Sequence, residues 1–435
     1  MRQAQIPAEP RPQPLATIET TTKSIQLAYG RSGLWIEAPD SAEVIEPRYQ
    51  PGLPDEPTAI RAALRAPLAG PPLAQRVRRG ASVGIVICDV TRPFPARRVI
   101  PVLLDELAAA HSGPITIFVA TGTHRACSEA ELADMLGPEV PGRCAVVQHD
   151  AFEPSRHARL GSVLGTSTPA LVEAAFLEQD VRITTGFIEP HFFAGFSGGP
   201  KMVAPGLAAI ETVLDLHSPA RIGHQSATWG ITLGNPVHDA VRAIAAAADV
   251  TFNLDVTLNR DHQVTAVFAG DLFQSHAAGC AFARSTAMVG VDVPFEVVLT
   301  TNSGYPLDQN LYQTVKGISA AAQIVKPGGA IVAASECSDG LPQHGGYKDL
   351  LRQADGPDAF LRRLSEPGFA VHDQWQVQVQ ALIQQRARVL VHAGGLSREQ
   401  LRAAWFEAAD EPAACAADLL ASYGPRARMA VLPQG

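Results

Sequence analysis

Short runs of apolar residues alternate along the chain with segments in which apolar residues recur at helical spacing. From residue 82 onward the two patterns follow one another repeatedly. This alternation is typical of parallel sheets covered by helices, because a crossover between parallel strands needs a connection of helical length. The predicted strands cover residues 82–88, 114–120, 144–148, 180–188, 251–259, 263–268, 295–301, 329–334, 388–392 and 428–432. We therefore predict an α/β fold with largely parallel sheets.

The helical patterns lie between these runs, and one of them has a defined start. Ser128 precedes a periodic apolar segment and Glu131 follows three residues later, which is the pattern of a capping box. The predicted helices cover residues 58–64, 97–110, 128–136, 207–216, 239–248, 275–289, 315–325, 347–353 and 419–423. Alternation with a period of two predicts an earlier hairpin from residues 24–29 and 33–37.

The length of 435 residues is enough for two or three domains. We predict a proline-rich extension over residues 1–22, an N-terminal α/β domain over residues 23–291 and a C-terminal α/β domain over residues 292–435. The pattern leaves open whether the last ~20 residues return to the first domain.

Composition excludes several classes of protein. A net charge of −8 with scattered arginines argues against a nucleic-acid-binding surface, which needs clustered positive charge. The six cysteines form no C-x-x-C pair, and their spacing does not predict a disulfide framework or a zinc ribbon. No segment approaches the ~20 apolar residues of a membrane helix, and the first residues lack the apolar region of a secretion signal. A cytoplasmic protein without a membrane or nucleic-acid partner is therefore expected.

Polar residues collect where the predicted strands end. In parallel sheets, ligands bind at the carboxyl ends of the strands. The polar segments that follow five strands are Asp89–Arg92, Thr121–Arg125, Glu189–His191, Asn302–Lys316 and Glu336–Asp339. Because these strands belong to both predicted domains, we expect one active-site cleft between the two.

Among these side chains, three have a specific chemical interpretation. His124 and His191 are candidates for an acid/base pair, because imidazole titrates near neutral pH. Arg92 directly follows a buried strand, and its guanidinium can bind a carboxylate or phosphate in a bidentate manner. Each residue taken alone is more often structural, so the prediction depends on their shared position.

The segment Glu189–Gly206 is the most informative stretch of the chain. Its glycines allow close approach of the backbone to a bound group, and the helix predicted after it would favour an anion at its N-terminus. Lys201 stands at this predicted helix start, where a positive charge opposes the helix dipole, and this unfavourable placement suggests a function. His217 ends the same predicted helix.

Three other interpretations of this region fit less well. Gly195–Lys201 superficially resembles a P-loop, but proline and methionine flank Lys201 where that motif needs glycine and Ser or Thr. No G-x-G-x-x-G follows an early strand, so an exchanging NAD is poorly supported. A zinc hydrolase could use His191, His217 and His224, but the H-E-x-x-H motif is absent.

Taken together, the motifs resemble those of the lactate racemase family, the nickel-pincer-nucleotide enzymes. The resemblance runs from about Ile25 to the C-terminus. Each motif is weak alone, whereas their order and spacing are specific. The segments that carry it are Asp89–Pro93, Gly122–Arg125, His191–Lys201, His217 and Asp308–Gly317.

The resemblance implies a cofactor bound by the N-terminal domain, a nickel pyridinium-3,5-bisthiocarboxylic acid mononucleotide. Lys201 would tether it covalently and His217 would complete the nickel coordination. The other residues expected to contact the cofactor are Asp89, Val90, Thr91, Arg92, Ser197, Gly198 and Gly199. Soft sulfur ligands with one imidazole suit square-planar nickel.

The resemblance also implies the reaction, the racemisation or epimerisation of a lactate-like 2-hydroxy acid. His124 and His191 would exchange the hydroxyl proton while the C2 hydride passes to the cofactor and returns through a 2-keto acid. The residues expected to bind the substrate are Arg92, Tyr312, Gln313 and Lys316. The implied partners are the small substrate and the cofactor-biosynthesis enzymes, and the sequence leaves a homodimer open. The alternative is a carboxylate- or nucleotide-binding homologue that lacks nickel and does not racemise.

Overall fold

Two sheets of six strands organise the residues that the computed structural model describes, which are 21–110, 112–161, 163–342 and 345–435. The strands are β1 (Thr22–Leu27), β2 (Leu34–Pro39), β3 (Glu43–Val44), β4 (Val83–Cys88), β5 (Ile115–Ala120), β6 (Ala145–Gln148), β7 (His157–Arg159), β8 (Leu171–Glu173), β9 (Val181–Phe187), β10 (Pro190–His191), β11 (Gly195–Phe196), β12 (Phe252–Leu258), β13 (Val264–Gly270), β14 (Phe295–Thr300), β15 (Val325–Ala334), β16 (Arg388–His392), β17 (Glu407–Ala408) and β18 (Met429–Leu432). The predicted extension lies outside these residues, apart from Thr21 and Thr22.

Helices cover the faces of both sheets and connect their parallel strands. They are α1 (Glu56–Arg65), α2 (Leu73–Arg76), α3 (Ala96–Ala109), α4 (Glu129–Leu136), α5 (Ala174–Leu177), α6 (Ile210–Leu216), α7 (Pro219–Ile222), α8 (Pro236–Ala247), α9 (Leu272–Ala287), α10 (Leu311–Ala321), α11 (Tyr347–Arg352), α12 (Pro357–Arg363), α13 (Gln374–Arg386), α14 (Arg398–Ala403) and α15 (Pro412–Ser422). Ser128 and Glu131 form the predicted capping box of α4. None of the helices within the described ranges has the length and apolarity that a membrane crossing requires.

The first sheet has the order β13-β12-β9-β4-β5-β6. Its strands are parallel except for the antiparallel pair of β12 and β13. The central strand β4 is buried at every position, as expected for a parallel strand with helices on both faces. The carboxyl ends of β4, β5 and β9 therefore meet at one edge, where the predicted polar residues follow them.

The second sheet has the order β17-β16-β15-β14-β18-β3, with all pairs parallel. The C-terminal strand β18 pairs with β14, so the chain end, whose place the sequence left open, lies in the second sheet. The predicted α/β class with largely parallel sheets is confirmed by both sheets. The division after residue 291 stays a prediction.

The N-terminal hairpin β1–β2 packs on the second sheet rather than on the first. Its inward side chains Ile25, Leu27 and Ile36 share one apolar cluster with Val297 and Leu299 of β14. Strand β3 joins the same sheet beside β18. Residues 22–44 thus lie with the C-terminal half of the chain, which the predicted boundaries did not anticipate.

Several predicted helices differ from the observed ones in their boundaries, and the misplaced starts of two of them affect candidate residues. The helix predicted over 315–325 is α10, which starts at Leu311 because the Asn310 side chain accepts the Gln313 amide and caps it. The helix predicted over 207–216 is α6, which starts only at Ile210. Lys201 therefore lies in a short 3-10 turn, Gly199–Met202, and the predicted anion-binding helix N-terminus beside it is not formed.

The packing of the hairpin on the second sheet can be tested by substituting one buried and one exposed residue of β1. Leu27 is fully buried, and Leu27→Ala should destabilise the protein by about 2–5 kcal/mol through lost burial and an unfilled cavity. Gln26 is exposed on the opposite face, and Gln26→Ala should change stability by less than about 0.5 kcal/mol. Urea unfolding followed by tryptophan fluorescence measures both, and equal effects of the two variants would contradict the packing described.

Candidate functional site

The site is built where the strand ends of the first sheet face α10 of the second. Arg92 follows β4, and Glu189 and His191 follow β9. Lys201, in the turn after the glycine loop, and Lys316 of α10 are close enough for their charges to affect the pKa of Glu189 and His191, and the charge of Arg92 affects the pKa of all four groups. Side chains from both halves of the chain thus meet in one cleft.

His124 is held by a buried carboxylate. Its Nδ1 lies 2.7 Å from Oδ2 of Asp89, whose Oδ1 accepts hydrogen bonds from the backbone and hydroxyl of Thr91 at 3.1 and 2.6 Å. Burial alone would raise the pKa of Asp89, but attraction to His124, followed by that to Arg92, lowers it to about 2. The carboxylate accepts a hydrogen bond from Nδ1–H, so His124 in its neutral form carries its lone pair on Nε2.

His191 is held in the opposite tautomer. It lies in the small antiparallel pair of β10 and β11, opposite Gly195. Its Nδ1 accepts long hydrogen bonds from the amides of Phe193 and Ala194, at 3.4 and 3.3 Å, so the neutral ring carries its proton on Nε2. Burial first, and then the charge of Lys201, lowers the pKa of His191 well below its usual value. The ring is therefore neutral.

Lys201 is an unusually acidic amine. Its Nζ lies 5.9 Å from the ring centroid of Phe193. Burial first, and then the neighbouring guanidinium of Arg92, lowers the pKa of Lys201 to about 7, although Glu189 acts in the other direction. The side chain of Glu189 is exposed on one side. The protein atoms around the rest of it desolvate the carboxylate, and this desolvation raises its pKa. A large fraction of Lys201 is thus a neutral nucleophile near neutral pH.

The glycine loop beside Lys201 rests on a buried polar layer. Gly199 donates its amide to Oδ2 of Asp255 at 3.0 Å, and His276 Nε2 donates to the carbonyl of Ser197 at 2.9 Å. A Cβ on Gly199 would lie 2.4 Å from His276, and the residue has φ +49°, so both space and backbone require glycine. Burial raises the pKa of Asp255 to about 6.

The sequence prediction did not include this supporting layer. Asn253 and Asp255 occupy alternate positions of β12, followed by the polar Thr257 in the same series, and both are fully buried. Asn253 donates to Asp255 at 3.0 Å and to Ser275 of α9 at 2.9 Å. Polar residues two apart in a buried strand share one face, and that spacing was the available signal.

His217 caps the C-terminus of α6 and presents one nitrogen to the cleft. Its Nδ1 donates to the carbonyl of Val213 at 2.7 Å, which leaves the lone pair on Nε2. The ring contacts Phe193 edge-on, with centroids 5.1 Å apart, and Trp375 of α13 at 4.5 Å. Burial lowers the pKa of His217 to about 4, so the ring is a neutral potential ligand.

The second half of the chain contributes one face of α10. Tyr312 and Lys316 lie one turn apart, and the Tyr312 hydroxyl accepts from Nε1 of Trp375 at 3.2 Å. The neighbouring Gln313 is buried, and its Oε1 has no hydrogen-bond partner. Burial first, and then the charge of Arg92, lowers the pKa of Lys316 well below its usual value. The unpaired amide oxygen indicates a place for a hydrogen-bond donor, and the charge of Lys316 beside Arg92 indicates a place for an anion.

The structure thus brings most predicted site residues into one network. Arg92 connects its two parts, because it donates to the Thr91 hydroxyl beside His124 at 3.1 Å and shifts the pKa of His191, Lys201 and Lys316. Val90, the remaining predicted cofactor contact, lies half-buried in the same strand-end segment.

The comparisons with known proteins agree with this arrangement. Residues 29–230 match the model of the lactate racemase N-terminal domain, and residues 291–435 match that of the lactate racemase C-terminal domain. The lactate racemase of Thermoanaerobacterium thermosaccharolyticum is 33% identical over 367 residues, which are 83% of this chain and 85% of the relative. That of Lactiplantibacillus plantarum is 34% identical over 340 residues, 78% of each chain.

Solved structures give the same result. The lactate racemase apoprotein from Thermoanaerobacterium thermosaccharolyticum superimposes with a TM-score of 0.88 at 29% identity, over 95% of this chain and 98% of that one. A protein from Thermotoga maritima, at 18% identity and a TM-score of 0.68 over 89% and 98% of the two chains, shares the fold. The chain belongs to the lactate racemase family, and its enzyme class is that of an isomerase, a racemase.

Proposed function

We propose that this protein racemises or epimerises a 2-hydroxy acid, with His124 and His191 as its two proton-transfer groups. The observation that carries the proposal is the opposite tautomers of the two rings. Asp89 leaves His124 with a lone pair on Nε2, whereas two backbone amides leave His191 with a proton there. A racemase needs a base on one face of the substrate and an acid on the other, and the pair exchanges roles for the other enantiomer.

The proton path follows from these two rings. His124 Nε2 accepts the hydroxyl proton of one enantiomer, and the resulting imidazolium is stabilised by the adjacent Asp89 carboxylate. His191 has no carboxylate partner in its described contacts, and on the opposite side its Nε2 would return a proton from the imidazolium form and so regain the neutral ring. Racemisation is balanced, because the hydride returns to C2 and the protons that His124 gains and His191 loses are exchanged with solvent between turnovers.

The chemistry of the chain fits the nickel-pincer nucleotide. Lys201 offers a neutral amine for the covalent tether, and His217 offers an oriented Nε2 lone pair for nickel. Gly198 and Gly199, with Ser197, would lie against the nucleotide together with residues 89–92, as the resemblance implies. When bound, this cofactor would supply the acceptor and donor for the C2 hydride. Its supply would depend on the cofactor-biosynthesis enzymes.

The charge of the cleft supports an anionic substrate. Burial first, and then the charge of Arg92, lowers the pKa of both Lys201 and Lys316, which means that positive charge there is undercompensated. A carboxylate bound by Arg92 and Lys316 would relieve this repulsion, and the free Oε1 of Gln313 could accept a hydrogen bond from the substrate hydroxyl. Both curated relatives are lactate racemases, which supports a lactate-like acid.

Two further assignments belong to the proposal. All six cysteines are free thiols, which agrees with a reducing compartment such as the cytoplasm. We place the junction between cofactor-binding and C-terminal domains near residue 291, where the match to the C-terminal family domain begins. The homodimer stays a prediction.

The acid/base pair is tested by removing each imidazole. His124→Asn and His191→Asn should each lower racemisation by about 10²–10⁴-fold, because each enantiomer needs both groups. Chiral chromatography of a 2-hydroxy acid panel measures the rates in both directions. His224→Asn is the matched control, because this histidine is exposed on the loop after α7. Unchanged nickel content in all variants would assign a loss to proton transfer, and full activity in either cleft variant would overturn the pair.

The tether is tested by intact mass. Co-expression with the cofactor-making enzymes should give a heavier wild-type protein, whereas Lys201→Ala should keep its unmodified mass because the nucleophilic amine is gone. Lys23→Ala, on the surface hairpin, should carry the adduct like the wild type. An adduct that persists in Lys201→Ala refutes the assignment, and no nickel and no racemisation in the wild type would favour the non-racemising homologue.

The depressed pKa of Lys201 predicts a pH profile. Neutral amine increases as pH rises through the pKa, so labelling of Lys201 by an acylating reagent should reach half its maximal rate near pH 7. An unstructured lysine peptide, with a pKa of about 10.4, provides the reference and should be labelled far more slowly at that pH. Peptide mass spectrometry of protein made without cofactor reads out the site, and a profile that matches the reference peptide would contradict the cleft electrostatics.

A further inference from the structure

A second cluster of titratable side chains lies outside the residues that form the cleft. His149 follows β6, His157 begins β7 and Glu173 ends β8. His149 and Glu173 are each only 3% exposed. Within the described part of the chain, one nitrogen of each histidine and a carboxylate oxygen of Glu173 converge to within 4.8 Å of one another. The proposed racemisation uses none of them.

Backbone carbonyls orient both rings of this cluster. His149 Nε2 lies 3.1 Å from the carbonyl of Ala208, and His157 Nδ1 lies 3.0 Å from that of Glu153. A carbonyl only accepts, so these two nitrogens carry the protons. The other nitrogens, His149 Nδ1 and His157 Nε2, therefore hold lone pairs in the neutral rings and point at the place where Glu173 also points. Metal-binding histidines are typically oriented in this way by a second hydrogen bond.

Two of the converging atoms are poorly satisfied by protein alone. His157 Nε2 is buried and has no hydrogen-bond partner, which is costly for a polar atom. His149 Nδ1 lies 3.2 Å from Oε2 of Glu173. In a neutral ring the lone pair of Nδ1 would face a lone pair of this carboxylate oxygen, which is repulsive. Arg156 supplies positive charge at 3.0 Å from the same carboxylate oxygen. A cation between the three ligands would satisfy all of them.

We propose that His149, His157 and Glu173 bind a divalent metal ion of the zinc class, with water as the fourth ligand. Two imidazoles and a carboxylate are ligands that Zn²⁺ accepts in a tetrahedral site, and bonds of about 2.1 Å separate such ligands by about 3.4 Å. The His149–Glu173 separation of 3.2 Å already matches that spacing. His157 needs to approach by a small movement of the hairpin β7–β8, and Arg156 needs to release one oxygen.

The surroundings of the site indicate what the metal would stabilise. The amide of Glu173 donates to the carbonyl of Leu207 at 2.9 Å, and that of Ala209 donates to Leu171 at 3.0 Å. The hairpin is thereby attached to the segment that leads into α6 and His217. On the other side, the Thr121 hydroxyl donates to the carbonyl of His149 at 2.8 Å, at the start of the loop that carries His124. The metal would hold these segments together from behind the cleft.

The test is a metal titration of the full-length, tag-free protein after chelator treatment and desalting. With zinc chloride and a competing chromophoric chelator, the wild type should bind one equivalent that His157→Gln binds at least about 10-fold more weakly. His217→Gln is the matched control, because it removes the proposed nickel ligand and leaves this cluster intact. Co²⁺ should give the visible absorption of a tetrahedral site in the wild type and in the control, but not in His157→Gln.

Arg156→Gln separates the metal site from an ion network without metal. If a cation binds, removal of the competing guanidinium should keep or strengthen zinc binding, and zinc should raise the Tm of this variant. If Glu173 instead serves only a network of His149 and Arg156, the variant should lose stability that zinc does not restore. That result overturns the proposal, as does equal zinc binding by wild type and His157→Gln. Racemase assays do not enter these readouts, so failure here is independent of the proposed function.

Discussion

Crowding of positive charge in an enclosed cleft is the constraint on which the site depends. A guanidinium stays charged in proteins, so it is the pKa values of the groups around Arg92 that shift. His191 is neutral and a large fraction of Lys201 is neutral near pH 7, because water is excluded and a guanidinium is near. A neutral base and a neutral nucleophile are the forms that proton transfer and covalent attachment require. The same crowding provides the attraction for an anionic substrate, so binding and reactivity have one physical origin.

The fold produces this crowding by joining two parallel sheets at the ends where their strands finish. A crossover between parallel strands runs from the carboxyl end of one strand to the amino end of the next. The loops that follow β4, β9 and β14 therefore all lie at the carboxyl ends of the strands. The glycine loop then needs a rigid support, because glycines have no side chains that could pack and hold the loop in place. Asp255 and His276 provide that support from the layer beneath.

Much of this organisation could be predicted from the sequence, because apolar period and strand-end polarity are local signals. The strands, the capping box at Ser128 and the convergence of Arg92 with Lys316 follow from such signals. The start of α10 was misplaced because its first apolar residue, Leu311, directly follows the capping Asn310 inside a polar segment that was assigned to the loop after β14. Contacts that depend on distant packing could not be predicted, such as Trp375 of α13 against His217. The chemical roles themselves came from the family resemblance and not from spacing alone.

The position of the N-terminal hairpin has a consequence for the order in which the protein can assemble. The ribosome releases residues 22–44 long before the strand Met429–Leu432, yet among the described strands β3 pairs with that late strand alone. The second sheet therefore cannot complete this edge until β18 has emerged, whereas all strands of the first sheet are available much earlier. The chain also passes between the two sheets twice, once after residue 44 and once before residue 295, so any opening of the cleft has to pivot about two covalent crossings.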